Sequence, residues 1–314
     1  MYEEKIKEIS NKFNNDYATY MIITNKKANR EIYVMIDNDD AVDFIKPKFK
    51  GIMVALHKVM KSDIFKSFMR KVQLSRELGE VIYVGGQIKC FDLKNKIVKS
   101  FPHEQGDLLK FFEDKENQKV IGEMGYAPKI IDIDYDKNYS TEELYDLYDE
   151  NIIFALSRLF EFYKENKFHR IPVDQFSKTV LCLNNPIFIR ALDVIKKCDY
   201  LLHAQIHGEF SKEQCLQYKG KIYFVDWDLR EGLLTEDLVS IFRLDNAYYN
   251  KKEFNELLKL YPDHVKKNLK YYLLATELIR ITNRHMYERK FDLPVNMERI
   301  KLSEQRINNI LKDL

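Results

Sequence analysis

The sequence predicts an α+β chain in which a β-rich leading part is followed by a larger, mostly helical part. Three observations carry that expectation. Short β-prone runs fill residues 18–36 and 80–101, whereas beyond about residue 148 apolar residues recur at three- and four-residue spacing over long stretches. A chain of 314 residues with 45% hydrophobic composition also exceeds what one compact unit ordinarily needs, so two cooperating parts are expected.

The start, MYEEKIKEISNKF, is charged and amphipathic rather than a basic stub before an apolar run, and nowhere do about 18 apolar residues follow one another. The expectation is a soluble cytoplasmic protein. The runs ATYMIIT and EIYVMI, separated by the polar stretch NKKANR, fit a hairpin with a longish loop. Residues 51–78 read as helical, so that residues 1–79 form an extra N-terminal region of hairpin plus helices. From Glu80 the runs VIYV, QIKCFDL and KIVKSF read as strands, with a turn at Lys94-Asn95. Residues 107–124 follow a helical period in which Leu109, Phe112 and Val120 share a stripe. Tyr126-Ala127-Pro128 stops that helix, and KIIDID returns to a strand. Residues 80–146 are therefore expected to form a small β-rich lobe.

Helical periods then cover 149–165, 187–202, 253–260, 264–284 and 296–312. They define a helical lobe over 147–314. One β-rich island, residues 204–228, interrupts it.

The formal charge of +2 excludes a global electrostatic sink for nucleic acid, and the basic residues are not interleaved with aromatics in a recognised RNA- or DNA-binding pattern. Residues 46–71 are the local exception, with eight Lys or Arg against Asp63. That run suits an anionic surface such as lipid, polyanionic glycan or sugar phosphate, or simply a solvated helix face. Cys90, Cys182, Cys198 and Cys215 are widely spaced and show no metal-ligand spacing, so reduced thiols are expected and zinc is not. Aromatic residues at 13% run against the composition of unfolded chains.

The island reads HAQIHGEFSKEQCLQYKGKIYFVDWDLREG, with a polar loop, His207 to Gln214, between β-prone runs. Loops at buried strand ends commonly mount acids and bases. On the helix at 107–124, Glu116 lies four residues after Phe112 and four before Val120, which puts a carboxylate on the expected apolar stripe. A charge there calls for a partner, and Lys99 on the preceding strand is the natural one; Glu113 is the alternative acid.

His207-Gly208-Glu209 with Gln214 resembles the pattern H-G-D-x-x-x-x-N of the aminoglycoside phosphotransferase and choline kinase branch of the protein-kinase-like superfamily. Val225-Asp226-Trp227-Asp228 resembles the I-D-W-E of that branch, and Glu236-Asp237-Leu238 its closing D-L. The resemblance spans roughly residues 80–285. It implies a bilobal fold and a phosphotransferase using ATP or another nucleoside triphosphate with magnesium. It assigns Glu209 as the base at the acceptor hydroxyl, Gln214 and Asp226 as metal ligands, and Lys99 with Glu116 as the pair that positions phosphates. His207 and Asp228 are supporting residues: the first ties the loop by hydrogen bonds or serves as ligand or base, the second contacts metal or packs. His203 and Asp237 are expected to be structural. A leading region before the small lobe is similar to kinase-like proteins of bacterial surface-polysaccharide pathways.

Two positions depart from the pattern. Glu209 stands where aspartate is usual and Gln214 where asparagine is usual, each keeping its functional group and adding a methylene. A displacement of about 1 Å can cost roughly 100-fold in rate. Gly85-Gly86 is the one glycine pair available to cradle phosphate, without the family's fuller spacing. Two functions follow: a phosphotransferase acting on a hydroxyl of a small or carbohydrate-like acceptor, or a pseudokinase that binds nucleotide or scaffolds.

Overall fold

Residues 17–143 build a single eight-stranded sheet, in which the leading hairpin and the expected small lobe are continuous. The computed structural model describes residues 2–25, 30–45, 60–103, 108–208, 210–243 and 246–313. The chain divides into two compact units, Met1–Asp146 and Leu147–Leu314.

In the first unit, α1 (Tyr2–Ser10) precedes β1 (Tyr17–Asn25) and β2 (Arg30–Met35); α2 (Asp39–Ile45) and α3 (Asp63–Phe68) lead to β3 (Lys71–Ser75). Then come β4 (Val81–Val84), β5 (Gln87–Asp92), β6 (Ile97–Pro102), α4 (Leu108–Glu123), β7 (Ile130–Asp134) and β8 (Tyr139–Glu143). The strand order is β3-β1-β2-β4-β5-β6-β8-β7. Side chains alternate across a strand, so neighbours in sequence serve opposite faces. Tyr20, Tyr33, Ile82 and Phe101 pack with Ile6 and Ile9 of α1 on one face, while Met21, Val34 and Val81 pack with Ala41, Val42 and Ile45 of α2 on the other. Both faces are thus covered at β1, β2 and β4, which is why ATYMIIT, EIYVMI and VIYV read as almost continuous apolar runs.

Two sequence expectations need correction in this unit. The helix expected over 51–78 does not continue to its end: Lys71–Ser75 alternates exposed and buried residues with period two and pairs with β1. Residues 46–59, most of the basic run, lie outside the described residues. In α4 the buried side is Phe111, Lys115, Gln118 and Ile121, whereas Leu109 is 87% and Val120 58% exposed. The helix does stop where expected, with Gly125 in a left-handed conformation (φ 83°) and Tyr126 N–H donating to Ile121 O.

The second unit opens with β9 (Asp146–Leu147), then α5 (Ile152–Glu165), β10 (His169–Pro172), α6 (Val173–Ser177), α7 (Pro186–Ile195) and β11 (Tyr200–Ile206). β12 (Cys215–Tyr218), β13 (Lys221–Phe224), β14 (Arg230–Leu233) and α8 (Glu236–Phe242) follow. The chain ends with α9 (Lys252–Leu258), α10 (Asp263–Lys267), α11 (Leu269–Lys290) and α12 (Met297–Asp313). The periodicity over 187–202 overran its helix, because Tyr200 already starts β11. Two small sheets, β10-β11-β14 and β13-β12-β9, rest among the helices. α11 supplies the centre of the core through Tyr272, Leu273, Leu274 and Leu278. Among the described residues no helix is long and apolar enough to cross a membrane.

Within the first unit, the order β4-β5-β6-β8-β7 with α4 between β6 and β7 is the antiparallel small-lobe arrangement that the resemblance implies. The fold is α+β.

Candidate functional site

Strand β11 ends at Ile206 and delivers His207 and Gly208 directly onto the buried carboxylate of Asp237, near the start of α8. His207 N–H donates to Asp237 Oδ2 at 3.0 Å, while Gly208 and Phe210 N–H donate to Oδ1 at 3.2 and 3.4 Å. The Tyr163 hydroxyl of α5 donates to the same carboxylate. A carboxylate serving several donors is a strong, geometrically exacting anchor. Gly208 has φ 99°, and a Cβ there would lie 2.7 Å from Asp228 O, so the position needs glycine for both conformation and space.

The other acidic segment is clamped to this loop. His207 Nε2 lies 3.0 Å from Val225 O, and Asp228 N–H donates to His207 O at 3.0 Å. A carbonyl can only accept, so Nε2 carries the proton. Burial lowers the affinity of His207 for a second proton, with Asp237 opposing. The ring is therefore a neutral tie between the two segments. Phe210, Phe224 and Trp227 enclose it, and Trp227 Nε1–H donates to Phe224 O at 2.9 Å.

The β12–β13 hairpin aligns Cys215 with Phe224, and Val225 N–H donates to Gln214 O at 3.1 Å. Gln214 thereby sits across from Val225 and one residue from Asp226. At Asp226 the chain turns through φ 58° as it leaves the strand. The longer Gln214 side chain has a local use: its Oε1 accepts from Ser211 N–H at 2.7 Å, capping the 3-10 turn Lys212–Gln214. Asp228 pairs with Arg230 Nε at 3.5 Å. Glu209 lies outside the described residues.

The expected pair in the first unit does not form. Strand parity is the reason. Lys99 is aligned with Thr141 and Val98 with Glu142, and Glu142 lies on the face that meets α4. Lys99 therefore points to the opposite face, where its ammonium donates to Glu77 O and stands 5.3 Å from the Phe13 ring centroid. Glu116 is exposed and accepts from the Tyr135 hydroxyl. Gly85-Gly86 forms the short turn between β4 and β5. Among the described residues the buried ion pair of this unit is Lys115 with Glu142, which the sequence reading missed because it chose the neighbouring phase of the helix.

A hard divalent cation fits the second unit in donor chemistry: an amide oxygen and a carboxylate, completed by water, are typical magnesium ligands. Among the described residues no group of three or more His, Cys, Asp or Glu gathers to hold a metal. Gln214 and Asp226 would thus be the described donors. A nucleotide triphosphate fits less well, since Lys99 is committed to Glu77 O and the Gly85-Gly86 turn is a simple hairpin connection.

No protein-family model and no curated protein sequence matches this chain. The chain is similar in structure to choline kinase LicA from Streptococcus pneumoniae, at 12% identity over 73% of this chain and 90% of that one, with a TM-score of 0.48. It is similar to a choline/ethanolamine kinase family protein from Mesorhizobium loti, at 11% identity over 74% and 83%, with a TM-score of 0.47. A thermostable mutant of aminoglycoside phosphotransferase APH(4)-Ia, in a ternary complex with AMP-PNP and hygromycin B, aligns at 12% identity over 98% of each chain, with a TM-score of 0.47.

Proposed function

We propose that this chain is a phosphotransferase that uses magnesium and ATP, or another nucleoside triphosphate, to phosphorylate a hydroxyl of a small or carbohydrate-like acceptor in the cytoplasm. The observation that carries this reading is the double clamp on the loop: Asp237 gathers the amides of His207, Gly208 and Phe210, and His207 ties that loop to Val225 and Asp228. Such a clamp fixes a polar loop beside an acid-bearing turn, an arrangement suited to positioning charge for phosphoryl transfer. In this reading Glu209 accepts the proton of the acceptor hydroxyl, and Gln214 and Asp226 hold the magnesium ion. The ion would supply charge neutralisation at the phosphate oxygens. His207 and Asp228 position the two segments.

A second reading, a pseudokinase with a scaffolding or regulatory role, is favoured by the engagement of Lys99 with Glu77 and by its separation from Glu116 across the sheet. Thermal shift with a panel of nucleotides, with and without magnesium, separates the two. A magnesium-dependent rise, worth about 2.7 kcal/mol at 100 times the dissociation constant, supports nucleotide use. Stability that no nucleotide changes sinks the transfer reaction.

A further inference from the structure

The C-terminal unit holds a cavity of about 310 Å3 that no step above employs. Its inner wall includes Phe176, His203, Gly232 and Thr282, and its rim the exposed amides Gln175 and Asn283. It is drawn from β11, β14, α6 and α11, elements of one unit, and its volume falls at the lower end of the roughly 300–1,000 Å3 typical of small-molecule sites. Gly232 on its wall has no room for a side chain: a Cβ there would stand 2.3 Å from Ile206 Cδ1 and 2.6 Å from Glu236 Oε1.

The arginine and the buried glutamate of the wall are already matched to each other. Arg230 bonds Glu236 at 2.6 Å and meets Asp228 at 3.5 Å, and Glu231 stands 2.9 Å from His169 Nε2. His203 is held neutral, its pKa pushed down to about 4 by burial and by His169. An anionic ligand would need an arginine not already paired, and a cationic one a carboxylate set deeper than the exposed Glu231 or an aromatic cage. Hydrogen-bonding groups, by contrast, are in surplus. His203 Nε2 is buried with no partner among the described residues. Thr282 Oγ1 accepts from Leu181 N–H at 2.8 Å and retains its own proton to donate.

The cavity also touches the loop. Arg230, on its wall, donates through Nη2 to the carbonyl of Gly208 at 3.4 Å, and Gly208 immediately precedes Glu209.

We propose that this cavity is the acceptor pocket and takes an uncharged, hydroxyl-bearing molecule about the size of one sugar ring, held by His203, Gln175 and Asn283. The word acceptor rests on the phosphotransferase reading; the pocket and its preference for neutral polyols do not. The test uses the full chain, 15N-labelled at histidine, with the His203 signal assigned from His203→Gln. Glucose, ribose, glycerol, choline and inorganic phosphate are titrated without nucleotide. The expected result is saturable movement of the His203 resonance with a neutral polyol. Calorimetric affinity for that polyol should fall about fivefold or more in Asn283→Leu and in Gln175→Leu, the loss of one hydrogen bond each. Response to choline or phosphate alone, no response to any polyol at its highest soluble concentration, or affinity indifferent to both leucine variants overturns the pocket. Polyol binding without phosphorylation on adding ATP and magnesium upholds the pocket and counts against the transfer reading instead.

Discussion

Lys115 Nζ lies 3.3 Å from Glu142 Oε2 inside the N-terminal unit, each side chain only 6% exposed. Gln118 completes the group, accepting from Lys115 at 3.0 Å and donating to Glu142. The helix carries the cation and the sheet the anion, the reverse of the Lys99–Glu116 arrangement that the resemblance implies.

Breaking this pair on one side strands a buried charge, whereas replacing both halves removes the desolvation cost as well. Lys115→Met and Glu142→Leu are each expected to lower unfolding free energy by about 3–5 kcal/mol, and the double variant to recover most of that loss. Urea titration of the four proteins checks it; additive losses would mean that the two groups do not depend on each other.

Lys99 is expected to matter little to nucleotide. Its ammonium is held by Glu77 O on the face opposite α4, so Lys99→Met should change nucleotide affinity less than about twofold while costing roughly 0.5–1.5 kcal/mol of stability. Combining it with Glu116→Gln should be additive, because the two residues share no partner. A tenfold affinity loss on Lys99→Met would return the lysine to the phosphate site.

Much of this was legible in residue pattern, and the failures have specific causes. The strand runs of 80–101 and the island at 204–228 stand out because β-branched and aromatic residues lie between turn signals, and β4, β5, β6, β12, β13 and the end of β11 fall there. The helix at 107–124 was found, but its buried face was not. Leu109, Phe112 and Val120 advertise one phase, while the true inner face contains Lys115 and Gln118, polar residues that hide the signal until Glu142 supplies their partner. Asp237 was recognised as a structural acid from its place in the motif; its three amide donors depend on a chain return of almost 30 residues that no local pattern reveals. Lys99 was misjudged through strand parity, where a one-residue difference exchanges faces.

Asp237→Asn keeps the volume of the anchor and removes its charge. One oxygen must then serve donors that two oxygens served, and the new amide hydrogens oppose backbone N–H groups. A loss of about 1.5–3 kcal/mol is expected, with Tyr163→Phe costing less. Hydrogen exchange adds the readout: the amides of His207, Gly208 and Phe210 should lose protection ahead of the helical core. Unchanged protection there would remove Asp237 as the anchor of the loop.

Stability should fall on mild acidification. His203 goes from its usual 6.5 in the unfolded chain to about 4 in the fold, and burial lowers His207 in the same direction. Between pH 6.5 and 4 the unfolded chain binds protons that the folded one refuses, so stability is fully present above 6.5 and declines as pH drops through that window. For His203 the slope is at most about 1.4 kcal/mol per pH unit. His203→Gln should flatten the profile of unfolding free energy against pH, and a profile as steep in the variant as in the parent would contradict the assignment.

The last prediction concerns the longer amide at 214. Its Oε1 caps Ser211 N–H, while its backbone carbonyl accepts from Val225 N–H, one residue before Asp226. Gln214→Asn would withdraw the oxygen by one methylene and lose the cap, and roughly 0.5–1.5 kcal/mol of stability should go with it. Gln214→Glu keeps an oxygen for Ser211 and adds a charge. If Gln214 and Asp226 hold magnesium, Gln214→Glu should tighten magnesium binding and Asp226→Asn should abolish it, since hard-cation affinity follows the number of charged oxygen ligands. Magnesium titrations followed by thermal shift, in the presence of a nonhydrolysable ATP analogue, read all three variants against the parent. Identical titrations in Gln214→Glu, Asp226→Asn and the parent would place the metal elsewhere and leave the added methylene of Gln214 explained by the turn alone.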